Sequence, residues 1–409
     1  MIPPIAARQP AAPSLPLAIA LAIAPAAAVL QSKAVAPIAV VALLACVLGH
    51  RRRIGTWPWP RGTAAWLAIG LFGWAATTAL WAPEPLRALG TAAQLGGFVA
   101  LGAAAARVVA QDSEAAKRRL MLAAVLGLGT GLALAAADAA TGNSVRAAVR
   151  VLQAAPANLS FGLKPAASAM ALWLPLAAAA PIAPWLRGCL LVAGAGVLVL
   201  LPGEAAKLAV LAALLAGTVA AWRLRFTAIA LGTAVAATVV IMPIALGPML
   251  APGVPAGELA PSAAHRLLIW DFVVTRIAER PLLGWGMEAS RAIPGHRDPP
   301  SPATLARFGL DGPTAAAWLA GAELLPLHPH NGALQLRLEL GWPGVAIAAM
   351  LAVLLGAACR NAPAVAMLAA GAVTTMLSFG TWQEWWVGAE LLAVAAAAGI
   401  PRGAARGKP

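Results

Sequence analysis

The chain has 409 residues, of which 61% are hydrophobic and only 11% are charged, and its mean hydropathy is +0.81. Soluble domains contain about 45–50% apolar and about 25% charged residues, so this composition excludes a soluble cytosolic enzyme, a disordered protein and a disulfide-rich scaffold. The three cysteines lie too far apart in the chain to predict a redox pair or a metal site. The composition therefore predicts a protein that crosses a membrane several times.

Twelve apolar segments are long enough to be membrane-spanning helices, which need about 20 residues each. In chain order they cover residues 14–31, 34–49, 63–81, 88–106, 120–140, 165–184, 187–202, 205–222, 226–247, 331–357, 363–380 and 386–401. Segment 14–31 has no basic start beyond Arg8 and leads directly into the next span, so we interpret it as an uncleaved span. The sequence thus predicts an all-α polytopic membrane protein with about twelve transmembrane helices.

Basic residues are concentrated on one predicted face of the membrane. With the N-terminus in the cytoplasm, that face receives 16 of the 29 Lys and Arg residues but only two of the 15 acidic residues. The positive-inside rule then predicts that Met1 and Pro409 are both cytoplasmic. The net charge of +14 is explained by this topology and by attraction for phospholipid headgroups, so no nucleic-acid partner is predicted. The basic residues on this face are Arg8, Arg51, Arg52, Arg53, Arg61, Arg107, Lys117, Arg118, Arg119, Arg187, Arg223, Arg225, Arg360, Arg402, Arg406 and Lys408.

This orientation divides the chain into three parts: spans one to nine in 1–247, a large external loop in 248–330, and the last three spans with a cytoplasmic tail in 331–409. Within the loop, Leu267, Trp270, Val274 and Ile277 recur at helical spacing, which predicts an amphipathic helix over 265–280. A second short helix is predicted near 313–324. The amphipathic helix has two equal interpretations: an interfacial helix on the outer leaflet, or a helix that caps the bundle.

The most informative run begins at His328-Pro329-His330-Asn331 and continues into span ten. Helical periodicity places His330, Leu334, Arg337 and Gly341 on one face, with Arg337 about 10 Å deeper than His330 and Glu339 pointing away. An intramembrane charge is costly unless it lines a polar cavity or is paired. The run therefore predicts either a polar site at the outer end of span ten, or an Arg337–Glu339 pair that serves structure alone.

The pattern from His330 to Gly344 is similar to the signature His-Asn-x-x-Leu-Gln-x-x-x-Glu-Leu-Gly-x-x-Gly of the O-antigen ligase/polymerase family. Arg266 and Trp270, followed by Pro281-Leu282-Leu283-Gly284-Trp285-Gly286, resemble that family's external-loop pattern. Two further segments resemble family positions more loosely. One begins at Lys164, and the other is the short run that ends at Lys207. Arg337 departs from the pattern, because members more often carry an apolar or aromatic residue there.

The resemblance implies a GT-C-like glycosyltransferase whose long loop and active site face the periplasm of a bacterial inner membrane. The implied donor is a glycan on undecaprenyl pyrophosphate, and the implied acceptor of a ligase is the sugar core of lipid A. His330 is the implied base, Asn331 orients the helix mouth, and Arg266, Lys164 and Lys207 form the pyrophosphate clamp. Further contacts to substrate are expected from His328, Gln335, Arg337 and Trp270. The external acids are dispersed, so we expect no metal and no cofactor.

Three other functions remain open at this point. A polymerase, which transfers the glycan to another lipid-linked repeat, shares the motif, and so does a ligase that glycosylates proteins. A secondary transporter is the non-enzymatic alternative, since twelve spans with intramembrane charges suit one. The chain shows no convincing internal repeat, and its charged candidates lie near the outer surface rather than at mid-bilayer, which favours the enzyme.

Overall fold

The computed structural model describes residues 12–154 and 156–400, and within these ranges every regular element is helical. The α-helices are α1 Leu15–Leu30, α2 Val35–Ile54, α3 Thr63–Thr77, α4 Pro85–Gln111, α5 Glu114–Ala140, α6 Ser144–Val149, α7 Leu163–Trp173, α8 Pro184–Leu200, α9 Glu204–Leu250, α10 Pro261–Glu279, α11 Pro302–Arg307, α12 Pro313–Leu319, α13 Gly332–Ala358, α14 Ala362–Leu377 and α15 Glu384–Ala398. Short 3₁₀ turns extend or connect several of them. The prediction of an all-α protein is confirmed.

Apolar helices dominate the described chain. Six helical segments, containing α2, α3, α4, α5, α9 and α13, are long and apolar enough to cross a membrane, and α1, α8 and α14 are shorter apolar helices. Each of the twelve predicted spans coincides with helical structure. Two of these spans lie in α9, whose 47 residues are interrupted at Arg223 by non-helical dihedral angles. The protein is thus a polytopic membrane protein, while Met1, Arg8, Arg402, Arg406, Lys408 and Pro409, which entered the topology prediction, lie outside the described residues.

The chain forms two compact units, of which the first comprises Met1–Pro60, Val99–Pro202 and Gly388–Ala404. In this unit α1 packs against α2, α5 and α7. Its segment between α5 and α7 is organised by a fully buried ion pair, in which Arg146 Nε lies 2.5 Å from Asp138 Oδ2. Arg146 Nη1 also donates to the carbonyl of Leu159 at 2.7 Å. This predicted external segment is therefore fixed by buried hydrogen bonds.

The described residues of the second unit are Arg61–Phe98 and Gly203–Val387. Here α13 and α14 pack against α9, and α3 packs against α13. Glycine permits the closest approach of α9 to α13, since a Cβ atom on Gly232 would lie 2.8 Å from the Ala352 carbonyl oxygen. Small residues at such crossings are typical of helices that associate within a membrane. This unit contains the whole external loop and the histidine run.

The external loop is folded onto its own unit. Helix α10 packs against α9 and α13, and its buried face is formed by Ala264, Leu268, Ile269, Phe272, Val273 and Ile277. The expected stripe at Leu267, Trp270 and Val274 is only half-buried, because apolar residues occupy both flanks and the helix is turned by about one position. The observed packing agrees with the bundle-capping interpretation.

Two details of the loop differ from the sequence prediction. The short helix near Pro313 ends at Leu319 rather than at residue 324. Helix α11 has no counterpart in the sequence prediction; Ser301 caps its start by accepting from Thr304 N. Arg307, at the end of α11, donates to the Leu250 carbonyl at 3.1 Å and to Asp271 Oδ1 at 3.0 Å. These contacts fix α11 to the ends of α9 and α10.

Candidate active site

The two histidines lie in a tight turn that immediately precedes α13. The residue before a proline avoids helical geometry, and His330 has a positive φ of 55°, so neither histidine belongs to the helix. The helix begins after Asn331, whose Oδ1 accepts from Leu334 N at 3.0 Å as an N-cap. The expectation that His330 shares a helical face with Leu334, Arg337 and Gly341 is therefore wrong. Asn331 caps the helix, and a part for it in the reaction stays a prediction.

The two imidazole rings contact each other edge to face, with centroids 4.3 Å apart. His330 Nδ1 lies 2.5 Å from the carbonyl oxygen of Ser378, and a carbonyl can only accept, so Nδ1 carries the proton. In the neutral ring the lone pair of His330 then lies on Nε2. The backbone N–H of His330 donates to His328 Nδ1 at 3.2 Å, and His328 Nε2 lies 3.0 Å from Gln383 Nε2.

His328 is held in its neutral form. Burial lowers its pKa to about 3, assisted by repulsion from His330 when that ring is protonated and from the charges of Arg291 and Arg266. Arg266, on α10, is itself partly buried, which lowers the pKa of its guanidinium. Arg291 is the last residue of the short 3₁₀ turn Ala289–Arg291 and pairs with Glu288 at 3.0 Å. The positive charges of two arginines therefore act on the histidine turn. Arg266 was predicted from the sequence motif, whereas Arg291 was not.

Helix α10 supports this turn from one side. Trp270 Nε1 donates to the carbonyl of Pro329 at 2.8 Å, between the two histidines. Arg266 and Trp270 are four residues apart on α10, so they lie on neighbouring turns of the same helix face. The structure therefore brings together four of the predicted site residues, Arg266, Trp270, His328 and His330.

A turn between α14 and α15, residues 378–383, supports the histidines from another side. Ser378 accepts from His330, and Gln383 contacts His328. Gly380 packs directly against the ring, since a Cβ atom there would lie 2.9 Å from His328 Cγ. Sequence reasoning identified 382–386 only as a short external turn. No local sequence pattern indicates that this turn contacts the histidine turn, which lies about 50 residues earlier in the chain.

Gln335 and Arg337 lie deeper and make protein contacts. Gln335 accepts from Thr381 N at 2.9 Å and donates to Glu339 Oε1 at 3.2 Å. Arg337 donates to the carbonyl of Pro281, and its guanidinium lies 4.0 Å from the ring centroid of Trp342. The alternative Arg337–Glu339 pair does not form. A substrate contact for either predicted residue stays a prediction.

Helix α13 is broken at Gly341, where the external loop inserts. Gly341 has a φ of 62°, and Gly284 approaches so closely that a Cβ atom on it would lie 2.8 Å from Gly341 N. Trp285 N donates to the Leu338 carbonyl at 2.8 Å and Gly286 N to the Glu339 carbonyl at 2.9 Å. The Leu340 carbonyl accepts from Trp74 Nε1 at 2.8 Å. These donors satisfy carbonyls that the break would otherwise leave unpaired within the membrane.

The two predicted clamp lysines contact residues close to them in the chain. Lys207, in the first turn of α9, pairs with the exposed Glu204 at 2.8 Å. Lys164, at the start of α7, lies with its Nζ 4.4 Å from the ring centroid of Phe161, and it belongs to the other compact unit. No group of three or more His, Cys, Asp or Glu side chains suited to a metal ion occurs among the described residues.

Fold and site together define a polytopic membrane protein with a histidine pair, of which His328 is buried and His330 half-buried, and two arginines near the mouth of a helix. Residues 189–349 match the family model described as O-Antigen ligase. The resemblance drawn from the histidine motif is thereby confirmed over a segment that contains Arg266, His328, His330 and Gln335. Lys164 and the 378–383 turn lie outside the matched segment.

Relatives with names of the same kind are found in Rickettsia. The chain is 35% identical over 136 residues to a protein of Rickettsia prowazekii named "Putative polysaccharide ligase", a match that covers 31% of this chain and 30% of the relative. A protein of Rickettsia conorii with the same description is 33% identical over 136 residues, which are 31% of this chain and 29% of that relative. These matches span less than a third of the length of the relatives. No solved structure matches this chain.

Proposed function

We propose that this protein transfers a glycan from undecaprenyl pyrophosphate to the sugar core of lipid A, as an O-antigen ligase does. The observation that carries this proposal is the histidine pair at the mouth of α13, with the Nδ1 of His330 fixed by a backbone carbonyl and with Arg266 and Arg291 nearby. The matched O-antigen ligase segment and the named polysaccharide ligases support the same class of reaction. A membrane-embedded protein suits a donor and an acceptor that both carry lipid tails.

In the proposed reaction, His330 Nε2 removes the proton from an acceptor hydroxyl. The hydroxyl oxygen attacks the anomeric carbon of the donor sugar, and the bond between that carbon and the phosphate oxygen breaks. The electron pair leaves with undecaprenyl pyrophosphate. His330 suits this role because a base whose second nitrogen is held by a carbonyl has a fixed tautomer and orientation. His328 is kept neutral by burial and positive charge, so it orients His330 rather than taking the proton itself.

The leaving pyrophosphate gains negative charge as the bond breaks, and fixed cations stabilise that charge. Arg266 and Arg291 are the cations that act on the histidine turn, and a guanidinium can bind phosphate oxygens in a bidentate manner. Lys207 and Lys164 stay predictions as further members of the clamp. We propose that these cations make a divalent metal unnecessary and that no cofactor takes part.

The site is proposed to face the periplasm of the bacterial inner membrane, with both termini in the cytoplasm. The charge asymmetry of the predicted spans supports this orientation. A polymerase would use the same donor and another lipid-linked repeat as acceptor, and a protein ligase would use a protein hydroxyl. The folded external loop and the specific hydrogen bonds around the histidines favour an enzyme over a transporter.

The decisive experiment is glycan transfer by purified protein in nanodiscs, with lipid-linked glycan as donor. His330→Ala and His330→Gln should both lose about 10²- to 10⁴-fold in rate, because general-base catalysis typically contributes that factor. His328→Ala should lose less, and EDTA should change nothing. His296→Gln is the matched control, since His296 Nδ1 also contacts a backbone carbonyl, that of Ile293, at 2.8 Å.

Near-normal transfer by His330→Gln would exclude proton transfer at this position, and inactivation by EDTA would overturn the metal-free mechanism. The acceptor is identified in the same assay by comparing lipid A-core, a second lipid-linked glycan and an acceptor protein. Transfer to the second lipid-linked glycan alone would identify a polymerase.

A further inference from the structure

Glu339 is a fully buried carboxylate within α13 that accepts from three different parts of its unit. Its Oε2 accepts from Glu288 N at 2.7 Å and from Trp382 Nε1 at 2.6 Å. Its Oε1 accepts from Ser290 Oγ at 2.5 Å and from Gln335 Nε2 at 3.2 Å. None of the ion pairs between described residues involves Glu339, so these neutral donors are what stabilise the buried group.

These donors lead to the histidines by two routes. Glu288 and Ser290 belong to the segment that ends at Arg291, and Arg291 is one of the charges that act on His328. Trp382 directly precedes Gln383, whose side-chain amide contacts His328 at 3.0 Å. Glu339 therefore fixes two segments that approach the histidine turn: the one that ends at Arg291 and the turn that contains Gln383. Neither belongs to α10.

We infer that Glu339 is a positioning residue that places Arg291 and the 378–383 turn against the histidine pair. The inference rests on the proposed function, because it assigns a task to Glu339 in the same reaction. Glu339 acts through the residues that it holds and touches neither donor nor acceptor. The sequence interpretations had it pairing with Arg337 or pointing away from the site.

A carboxylate suits this position because both of its oxygens accept and neither donates. Glutamine has the same shape but only one acceptor oxygen, so its NH₂ group must face at least one of the donor pairs. With the NH₂ group toward Glu288 N and Trp382 Nε1, both of those contacts are lost. In the other orientation the Ser290 hydroxyl can turn to accept, but the contact with Gln335 Nε2 is lost. Unmade hydrogen bonds to buried donors are costly, so the held segments should shift rather than keep their place.

The test compares Glu339→Gln, Ser290→Ala and Trp382→Phe with Glu258→Gln, a control on an exposed carboxylate of the external loop. Hydrogen–deuterium exchange of the full-length protein in nanodiscs reports the placement of the segments, and transfer kinetics report its consequence. Glu339→Gln should speed exchange in peptides covering 286–291 and 380–383 while α9 and α10 stay protected. Its kcat should fall about tenfold to a hundredfold, with KM changed less than about twofold, as the loss of charge-assisted hydrogen bonds suggests.

Ser290→Ala and Trp382→Phe each remove one donor and keep the carboxylate, so they keep the inference falsifiable if Glu339→Gln does not fold. Each should lower kcat about twofold to tenfold and speed exchange in its own segment. Unchanged kcat despite faster local exchange would overturn the inference, and so would faster exchange throughout α9 and α10, which would indicate a role in overall stability. Unchanged exchange would overturn it as well.

Failure of the inference and failure of the proposed function are distinguishable. If His330→Gln loses transfer as expected while Glu339→Gln leaves kcat unchanged, only the role of Glu339 is wrong. If Glu339→Gln changes local exchange but the wild-type protein transfers no glycan to any of the three acceptors, the placement stands and the proposed function fails.

Discussion

Acidification should destabilise this protein through His328. A free histidine has a pKa of 6.5, and burial together with His330, Arg291 and Arg266 lowers that of His328 to about 3. Between these two pKa values, His328 is protonated in the unfolded chain but neutral in the folded protein. The part of the folded-state stability that depends on a neutral His328 is therefore fully present above pH 6.5 and is lost progressively as the pH falls below that value.

The size of this loss follows from the shift. Each pH unit below 6.5 lowers the free energy of unfolding by about 1.4 kcal/mol. Lowering the pH from 7 to 5 should thus remove about 2 kcal/mol through His328 alone. Other groups also titrate in this range, so the informative quantity is the difference between the wild-type protein and a variant without this imidazole.

His328→Gln keeps a polar side chain and removes the titration. Denaturant unfolding in detergent micelles, followed by tryptophan fluorescence at pH 7.5, 6 and 5, gives the free energy of unfolding for both proteins. The wild type should lose about 2 kcal/mol more than the variant between pH 7.5 and pH 5. His296→Gln should keep the wild-type pH dependence. Parallel curves for the wild type and His328→Gln would refute the assignment of a neutral, acid-resistant His328.

Three further predictions concern the clamp, the helix cap and the topology. Lys164→Ala and Lys207→Ala should each lower transfer about tenfold to a hundredfold at normal expression if the lysines contact pyrophosphate, and two fully active variants would remove them from the clamp. Asn331→Ala should cost about 1 kcal/mol of stability while Asn331→Asp keeps the cap, as measured by the same unfolding assay. Single cysteines at positions 257 and 358 should be labelled from outside the cell at Gly257 but not at Ala358, and the reverse result would invert the topology.

Much of the fold could be predicted because it follows from a property that each segment carries by itself. A span needs only enough consecutive apolar residues, so all twelve predicted spans coincide with helices, including the two in α9 on either side of Arg223. The break of α13 could not be predicted in this way. It depends on Gly284 and its neighbours, which are more than 50 residues earlier and supply the backbone donors that α13 loses at Gly341.

The candidate site was predictable where the sequence motif carries it and hidden where packing creates it. His330, Asn331, Arg266 and Trp270 were singled out by their resemblance to a family motif, and the structure brings all four to the start of α13. The partners of the histidines could not be found, since Ser378 accepts through its backbone carbonyl, which any residue would provide. Helical periodicity also misplaced His330, because it extends α13 backwards through the turn that contains Pro329 and His330, and that turn is not helical.

The roles of the two histidines separate only when their surroundings are known. The sequence offers two similar imidazoles two residues apart, and either could act as a base. In the structure, His328 is buried against Gly380 and Gln383, and burial together with the charges of Arg291 and Arg266 disfavours its imidazolium form. His330 instead has one nitrogen fixed by a carbonyl, which leaves its other nitrogen as the proton acceptor in the neutral ring. Because the two imidazoles lie in different environments, His328 can orient its neighbour while His330 takes a proton.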